Sequence, residues 1–133
     1  MRLATIAVLL LAATRASAQD AVQTDRDKYK AILENECVRV LEYTDRPGDR
    51  THQHRHPAFV LYALSSFKRT ITLPSGKVLK REFKAGDVMW SDEQTHIGEN
   101  VGDTPTRVII VELKKQREGC AKQPSDTADH SGR

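Results

Sequence analysis

Apolar and polar residues alternate in short runs from Tyr29 onward, and this alternation predicts β-strands. Successive side chains of a strand point to opposite faces, so residues 38–43 place Leu41 and Tyr43 on one face and Val40 on the other. Residues 59–64 (FVLYAL) form a continuous apolar run, which predicts a strand buried on both faces. No helical period persists, so the pattern predicts about eight or nine strands and an all-β protein.

Turn-forming residues separate these runs at close intervals. Pro74, Ser75 and Gly76 lie between two alternating runs and predict a β-hairpin. A second turn signal ends at Gly86, and a third covers residues 101–105. Short strands at this spacing are typical of a β-sandwich or a small barrel.

The first 18 residues have the three-part pattern of a secretory signal peptide. Basic Arg2 precedes an apolar run over residues 3–13, and small residues follow at 16–18. The apolar run is too short for a membrane span, which needs about 20 residues. We therefore expect cleavage after Ala18, a periplasmic or secreted protein, and no membrane span once the signal is removed.

The rest of the chain suits one domain over residues 19–113, with a loose polar lead-in over residues 19–27. Residues 114–133 are polar and contain almost no bulky apolar side chain, which predicts a largely disordered tail unless Cys120 holds it in place. Cys37 and Cys120 are the two cysteines. Their spacing leaves open whether they form one disulfide or two independent thiols.

The charge balance argues against a nucleic-acid-binding protein. Lys and Arg total 21 against 18 Asp and Glu, and loss of Arg2 and Arg15 with the signal peptide would bring the two signs close to balance. No basic stripe with interleaved aromatic residues is present. We therefore expect a small-molecule partner.

The candidate chemistry lies in the histidines, of which the chain has five. His52, His54 and His56 alternate, so on a strand they share one face. Neighbours at i and i+2 are about 6.6 Å apart and can lean onto one metal ion, whereas i and i+4 are about 13 Å apart. One of the three is therefore a spectator on a straight strand, and His96 is a candidate distant ligand. The alternative is a polar strand edge that is rich in histidine.

Two motifs resemble those of the cupin superfamily. Gly48, five residues, His54, Arg55 and His56 match the first cupin motif. Gly86 followed later by His96, three residues and Asn100 resembles the second.

The resemblance covers about residues 29–113 and implies a small double-stranded β-helix of the jelly-roll type. It resembles in particular the small single-domain cupins of the beta-alanine degradation type. It implies that His54, His56 and His96 are the metal ligands and that His52 lies outside the site. Cupins often pair through their sheets, so the resemblance also implies a homodimer.

The sequence departs from the cupin pattern in two places. The first motif normally continues with a Glu after a spacing of three or four residues, where this chain has Val60 and Leu61. The Pro-x-Gly of the second motif is replaced by residues 92–94, and the loop is one residue shorter. The carboxylate ligand is therefore missing, and Glu82 or Glu112 is a candidate substitute.

Three neutral imidazoles suit a divalent transition metal such as Fe, Zn, Mn, Cu or Ni. The expected function is a dioxygenase-like small-molecule metalloenzyme. The alternatives are a cupin that binds a small ligand without turnover, and a metal-binding protein without catalysis.

Two further residues are candidates for the site. If Val60 occupies the place of the missing Glu, alternation puts Tyr62 on the inward face, where its hydroxyl would contact substrate; the alternative is core packing. Asn100 would orient the metal ligands, or would be a turn residue ahead of Gly102.

Overall fold

The computed structural model describes residues 19–115 and Cys120, and nine strands and one helical turn lie within them. The signal-peptide prediction for residues 1–18 and most of the tail prediction fall outside the described residues. The elements, in chain order, are α1 (Ala21–Thr24), β1 (Tyr29–Glu34), β2 (Val38–Asp45), β3 (His54–His56), β4 (Phe59–Ala63), β5 (Phe67–Thr72), β6 (Val78–Phe83), β7 (Val88–Ser91), β8 (Gln94–Asn100) and β9 (Thr106–Leu113).

The strands form two antiparallel sheets. One has the order β1-β2-β9-β4-β7, and the other has the order β3-β8-β5-β6. The predicted hairpin is confirmed, because Thr72 of β5 pairs with Val78 of β6 across a turn in which Gly76 has φ of 84°. A positive φ of this size is easily adopted only by glycine. Strands distant in sequence are neighbours in both sheets, as in a jelly roll.

The core lies between the inner faces of the two sheets. It is filled by the side chains at every second position of the strands. On β2, Leu41 and Tyr43 are buried, as the pattern predicts. The prediction that β4 is buried on both faces is wrong, because Tyr62 is 46% exposed while Leu61 and Ala63 are buried. In this apolar run, alternate side chains face the core, and the apolar side chains between them lie on the outer surface.

The expected loose lead-in is instead packed against the barrel. The Asp20 side chain accepts a hydrogen bond from the Val22 backbone at 3.0 Å and so caps α1. Ala21 is fully buried in the core, and the Arg55 backbone N–H donates to Gln19. The lead-in therefore covers the edge of the sheet at β3, which carries two of the candidate ligands.

Cys37 and Cys120 form a disulfide, with their Cα atoms 5.3 Å apart. The sequence left open whether these cysteines form one disulfide or two independent thiols, and the structure has the disulfide. It links Cys120 to the residue just before β2, across 83 positions of sequence.

Within the described part of the chain, no helix has the length and apolar character needed to cross a membrane.

We expect removal of this bridge to destabilise the barrel. A cross-link that closes a long loop restricts the unfolded chain, and its loss typically costs about 2–4 kcal/mol. Urea unfolding of the Cys37→Ala/Cys120→Ala double variant should show this loss. Reduced wild-type protein is the control and should unfold with the same midpoint as the variant; equal stability of oxidised and reduced wild-type protein would contradict the prediction.

Candidate metal centre

Strand pairing brings the two histidine motifs together. β3 and β8 are antiparallel neighbours, and their register places His54 directly opposite His96. His56 lies two residues along β3, on the same inward face. All three side chains are buried, with exposed fractions of 0%, 1% and 6% for His54, His56 and His96.

The spacing of the ring nitrogens suits a single metal ion. The Nε2 atoms of His54 and His56 are 3.1 Å apart, and one nitrogen from each of the three rings lies within 4.8 Å of the others. Metal–nitrogen bonds of 2.0–2.1 Å in a tetrahedral or octahedral site require nitrogens roughly 3–3.5 Å apart. A small movement of the rings is sufficient to reach that spacing.

Hydrogen bonds orient two of the rings so that their Nε2 atoms face each other. Nδ1 of His54 is 2.8 Å from the backbone oxygen of His52, to which it must donate. Nδ1 of His56 is 2.5 Å from Oε1 of Glu112 and donates to that carboxylate. With Nδ1 of each ring engaged in this way, the two Nε2 atoms point into the same space, 3.1 Å apart, where one cation would contact both.

His96 adds a second sign that the residues fit a metal. Its Nδ1 is buried and has no hydrogen-bond partner in the described part of the chain. A buried polar atom without a partner normally indicates a missing water, ion or ligand. The donor set therefore fits a divalent transition metal with three imidazole ligands.

Burial keeps these rings in the form that binds metal. Burial and the nearby His56 lower the pKa of His54 to about 4. Burial, with His54, His56 and Arg69 close by, lowers the pKa of His96 to about 2. Both rings are therefore neutral at pH 7, which is the form that binds metal.

Glu112 connects the centre to the protein surface. One carboxylate oxygen accepts from His56, and the other accepts from Arg39 Nε at 2.6 Å. The Arg39 side chain continues to Asp20 at 2.5 Å. Burial raises the pKa of Glu112, but the hydrogen bonds from His56 and Arg39 outweigh burial and bring the pKa below its ordinary value. Glu112 is therefore an ionised partner of the His56 ring, and it is held by Arg39 rather than aimed at the space between the three rings.

The centre opens into a pocket between the two sheets. The cavity has a volume of about 110 Å³, and His56 and His96 line its inner end. Trp90, which is 56% exposed, lies at its margin. Most of the wall is apolar or aromatic, and the main residues are Tyr29, Tyr43, Phe59, Leu61, Phe83, Met89, Val108 and Ile110.

Tyr29 and Arg69 are two buried polar members of the pocket wall. The Tyr29 hydroxyl is 3.1 Å from Nε2 of His54. Burial raises the pKa of Tyr29 well above its ordinary value, so the hydroxyl stays protonated and donates to that nitrogen. The Arg69 side chain is 8% exposed.

The assignment of Tyr62 to the site is wrong. Tyr62 is 46% exposed on the outer face of β4 and does not line the pocket. The error is one of strand parity: Leu61, rather than Val60, points inward, so Tyr62 points outward with Val60. Whichever of Val60 and Leu61 corresponds to the Glu of the motif, the side chain at that position is apolar.

Three other candidates lie away from the ring cluster. The His52 side chain is 79% exposed and contacts Asp25 at 3.0 Å. Asn100 donates to Asp45 at 2.9 Å and accepts from the Gly102 backbone, which is the turn role. Glu82 is exposed and pairs with Lys68.

For two residues of the site, Glu112 and Arg69, the sequence carries a signal in the alternation of the strand. Glu112 is in phase with the buried Val108 and Ile110 on β9, so alternation predicts an inward carboxylate. Arg69 is two residues from buried Phe67 and has the same inward parity. A charged residue in phase with core positions indicates a buried polar group.

We expect metal-free protein to lose stability as the pH falls from 7.5 to 5. The folded-state pKa values of His54 and His96 lie below the unfolded value of about 6.5, so below that pH the unfolded chain takes up protons that the folded chain excludes. The slope is at most about 1.4 kcal/mol per pH unit for each ring. Urea unfolding at several pH values measures it. The His96→Asn variant should show a shallower slope, and a flat wild-type profile over this range would refute the prediction.

Glu112→Gln should weaken metal binding by about 10–100-fold. The amide keeps the shape of the carboxylate but loses the charge that supports the His56 N–H and pairs with Arg39. Competition with a chelating dye measures the affinity. The control is Glu82→Gln, the same change at an exposed carboxylate, which should bind metal as wild type does. Equal affinities of the two variants would contradict a role for Glu112.

The structure was compared with known proteins. No protein-family model matches the sequence, and no curated protein matches it. The chain is similar to a cupin domain protein of Bordetella pertussis Tohama I, with 23% identity, 74% of this chain and 98% of the other covered, and a TM-score of 0.61. It is also similar to a Cupin 2 conserved barrel domain protein of Salinispora arenicola CNS-205, with 16% identity, 85% and 91% covered, and a TM-score of 0.52.

A third similar structure is the polyketide cyclase RemF of Streptomyces resistomycificus, with 16% identity, 65% of this chain and 64% of the other covered, and a TM-score of 0.51. At these identities the likeness concerns the fold. Two antiparallel sheets enclosing a histidine-lined pocket agree with it. This chain therefore has the double-stranded β-helix fold of these cupin structures, as the resemblance of its two motifs implies.

Proposed function

We propose that this protein is an exported small-molecule metalloenzyme, with a dioxygenase-like reaction, in which His54, His56 and His96 hold a divalent transition metal. The observation that carries the proposal is the cluster of three buried histidine rings, two of which, His56 and His96, line a pocket. Structural zinc sites usually have four protein ligands, whereas catalytic sites keep an open position. Three ligands beside a cavity favour catalysis over a purely structural metal.

The chemistry follows from the donor set. A divalent ion held by three neutral imidazoles keeps its full charge, and it would supply Lewis acidity, or with Fe or Cu a place for O₂ beside a substrate. The chain does the rest. Glu112 and the His52 carbonyl fix the orientation of His56 and His54, and the apolar wall excludes water. Tyr29 holds a proton within reach of the cluster.

Two observations support export and catalysis separately. Disulfides persist mainly in oxidising compartments, so the Cys37–Cys120 bridge supports a periplasmic or secreted location. RemF, with the same fold, is a polyketide cyclase, so the fold supports small-molecule chemistry in at least one similar protein. The resemblance to the beta-alanine degradation type stays a prediction, and we carry no substrate over from it.

The alternative is a cupin that binds a small ligand or a metal without turnover. Its support is the absence of a carboxylate ligand among the described residues, since Glu112 is engaged by His56 and Arg39. Lower ligand charge reduces affinity for a divalent ion. Substrate-dependent O₂ uptake by the metal-loaded protein would favour the enzyme.

Metal content tests the site directly. Purified wild-type protein should carry close to one divalent metal per chain, and His54→Ala and His96→Ala should each lose most of it, because two imidazoles leave the ion half open. Elemental analysis after reconstitution gives the ratio. His52→Ala is the matched control on the same segment and should keep its metal. Metal retained in both ligand variants, or lost equally in the control, would place the site elsewhere.

A further inference from the structure

Arg69 is a buried cation whose hydrogen-bonding capacity is only partly used. It lines the same pocket as His56 and His96. Nη2 donates to the Tyr43 hydroxyl at 3.2 Å, while Nε is buried without a partner. A guanidinium has five N–H donors, and each buried donor left unpaired is costly. The unpaired donor therefore indicates that a ligand completes this group.

The absence of a side chain at Gly98 sets the position of the guanidinium. A Cβ placed on Gly98 would lie 2.3 Å from Arg69 Nη2, so the arginine head occupies the space that a side chain would fill there. Gly98 is two residues from His96 on β8 and has the same inward parity. Same-face neighbours on a strand are about 6.6 Å apart. The guanidinium therefore lies against β8 about one such spacing from the point where the His96 side chain leaves the strand.

The charge of Arg69 is incompletely balanced. Asp45 is the acidic group nearest to it, with Oδ2 at 3.8 Å from Nη2, which is too long for a hydrogen bond. The Asp45 carboxylate already accepts from Tyr43 at 2.5 Å and from Asn100 at 2.9 Å. The positive charge of Arg69 also contributes to the low pKa of His96. An anion placed between the guanidinium and the rings would be attracted to this positive side of the pocket.

We propose that Arg69 binds the carboxylate of a small organic acid, which names the substrate class of the site. The inference rests on the proposed function in one respect only: the rest of the acid would lie against the histidine cluster. A planar guanidinium suits a carboxylate because two N–H groups can donate to its two oxygens. Phe59 and Leu61 supply an apolar wall for the hydrocarbon part. The cavity of about 110 Å³ limits the ligand to a small molecule.

Calorimetric titration with butyrate tests the assignment, with butyramide as the uncharged molecule of similar shape. Both are titrated into metal-free and metal-loaded wild-type protein. We expect butyrate to bind and butyramide to bind at least about tenfold more weakly, because the charge-assisted hydrogen bonds are lost. Equal binding of the two compounds, tighter binding of inorganic phosphate than of butyrate, or binding of neither compound would overturn the proposal.

Variants locate the carboxylate. Arg69→Met should lower butyrate affinity at least about tenfold. Arg81→Met is the matched control, since Arg81 is an exposed cation at the edge of the same pocket, and it should leave the affinity unchanged. An equal loss in both variants would overturn the proposal, because the anion would then be held by the general positive potential.

Gly98→Ala is a second variant, which tests the same assignment if the Arg69→Met protein does not fold. The new methyl group displaces the guanidinium without removing its charge, so butyrate affinity should again fall while the protein stays folded. Unchanged affinity in a folded Gly98→Ala protein would also contradict the assignment. Thermal unfolding of each variant shows whether it is folded.

The failure of this inference is distinguishable from the failure of the proposed function. If the protein takes up no metal but butyrate binds in an Arg69-dependent way, the carboxylate site stands and the metalloenzyme proposal fails. If metal binds at the histidines but butyrate binds neither form, the carboxylate assignment fails and the metal site stands.

Discussion

The pairing of β3 with β8 is the constraint on which the site depends. That register sets His54 opposite His96, and strand alternation adds His56 to the same inward face. A slip of β3 by one residue would turn His54 and His56 toward solvent, so burial of this face and assembly of the histidine cluster require the same register. The Nε2 atoms of His54 and His56 lie 3.1 Å apart, and a nitrogen of His96 lies within 4.8 Å of them. One bound cation would contact all three rings, so strand pairing sets the geometry of the candidate site.

The surroundings of the rings divide into a charged side and an apolar side. Behind His56, Glu112 and Arg39 form an ion pair that reaches Asp20 in the lead-in segment. Packing of that segment thereby supports the orientation of a ring in the centre of the barrel. On the other side the pocket is aromatic and aliphatic, with Arg69 as its buried charge. A polar orientation network behind the ligands and an apolar substrate wall before them suit a site that acts on a small, partly apolar molecule.

Much of this arrangement could be predicted from short-range patterns, and the remainder depends on strand parity and long-range pairing. Alternation and turn residues predict the hairpin of β5 and β6, and the resemblance of the two motifs to cupin motifs implies which histidines meet. Tyr62 was misplaced because a continuous apolar run does not show which parity faces the core. The lead-in at Asp20 carries no periodic signal, since its order comes from tertiary contacts with Arg39. The role of Glu112 needs the pairing of β9 with β2 and β4, which no local pattern reveals.

Anomalous diffraction from a crystal of the metal-loaded protein, recorded at the absorption edge of the bound ion, tests the central claim most directly. The account predicts one strong peak at the inner end of the pocket, about 2.0–2.1 Å from a nitrogen of each of His54, His56 and His96. The peak should lie on the side of the rings that faces away from Glu112. A peak beside His52 and Asp25, a peak bonded to fewer than two of the three rings, or no peak in the barrel would contradict it.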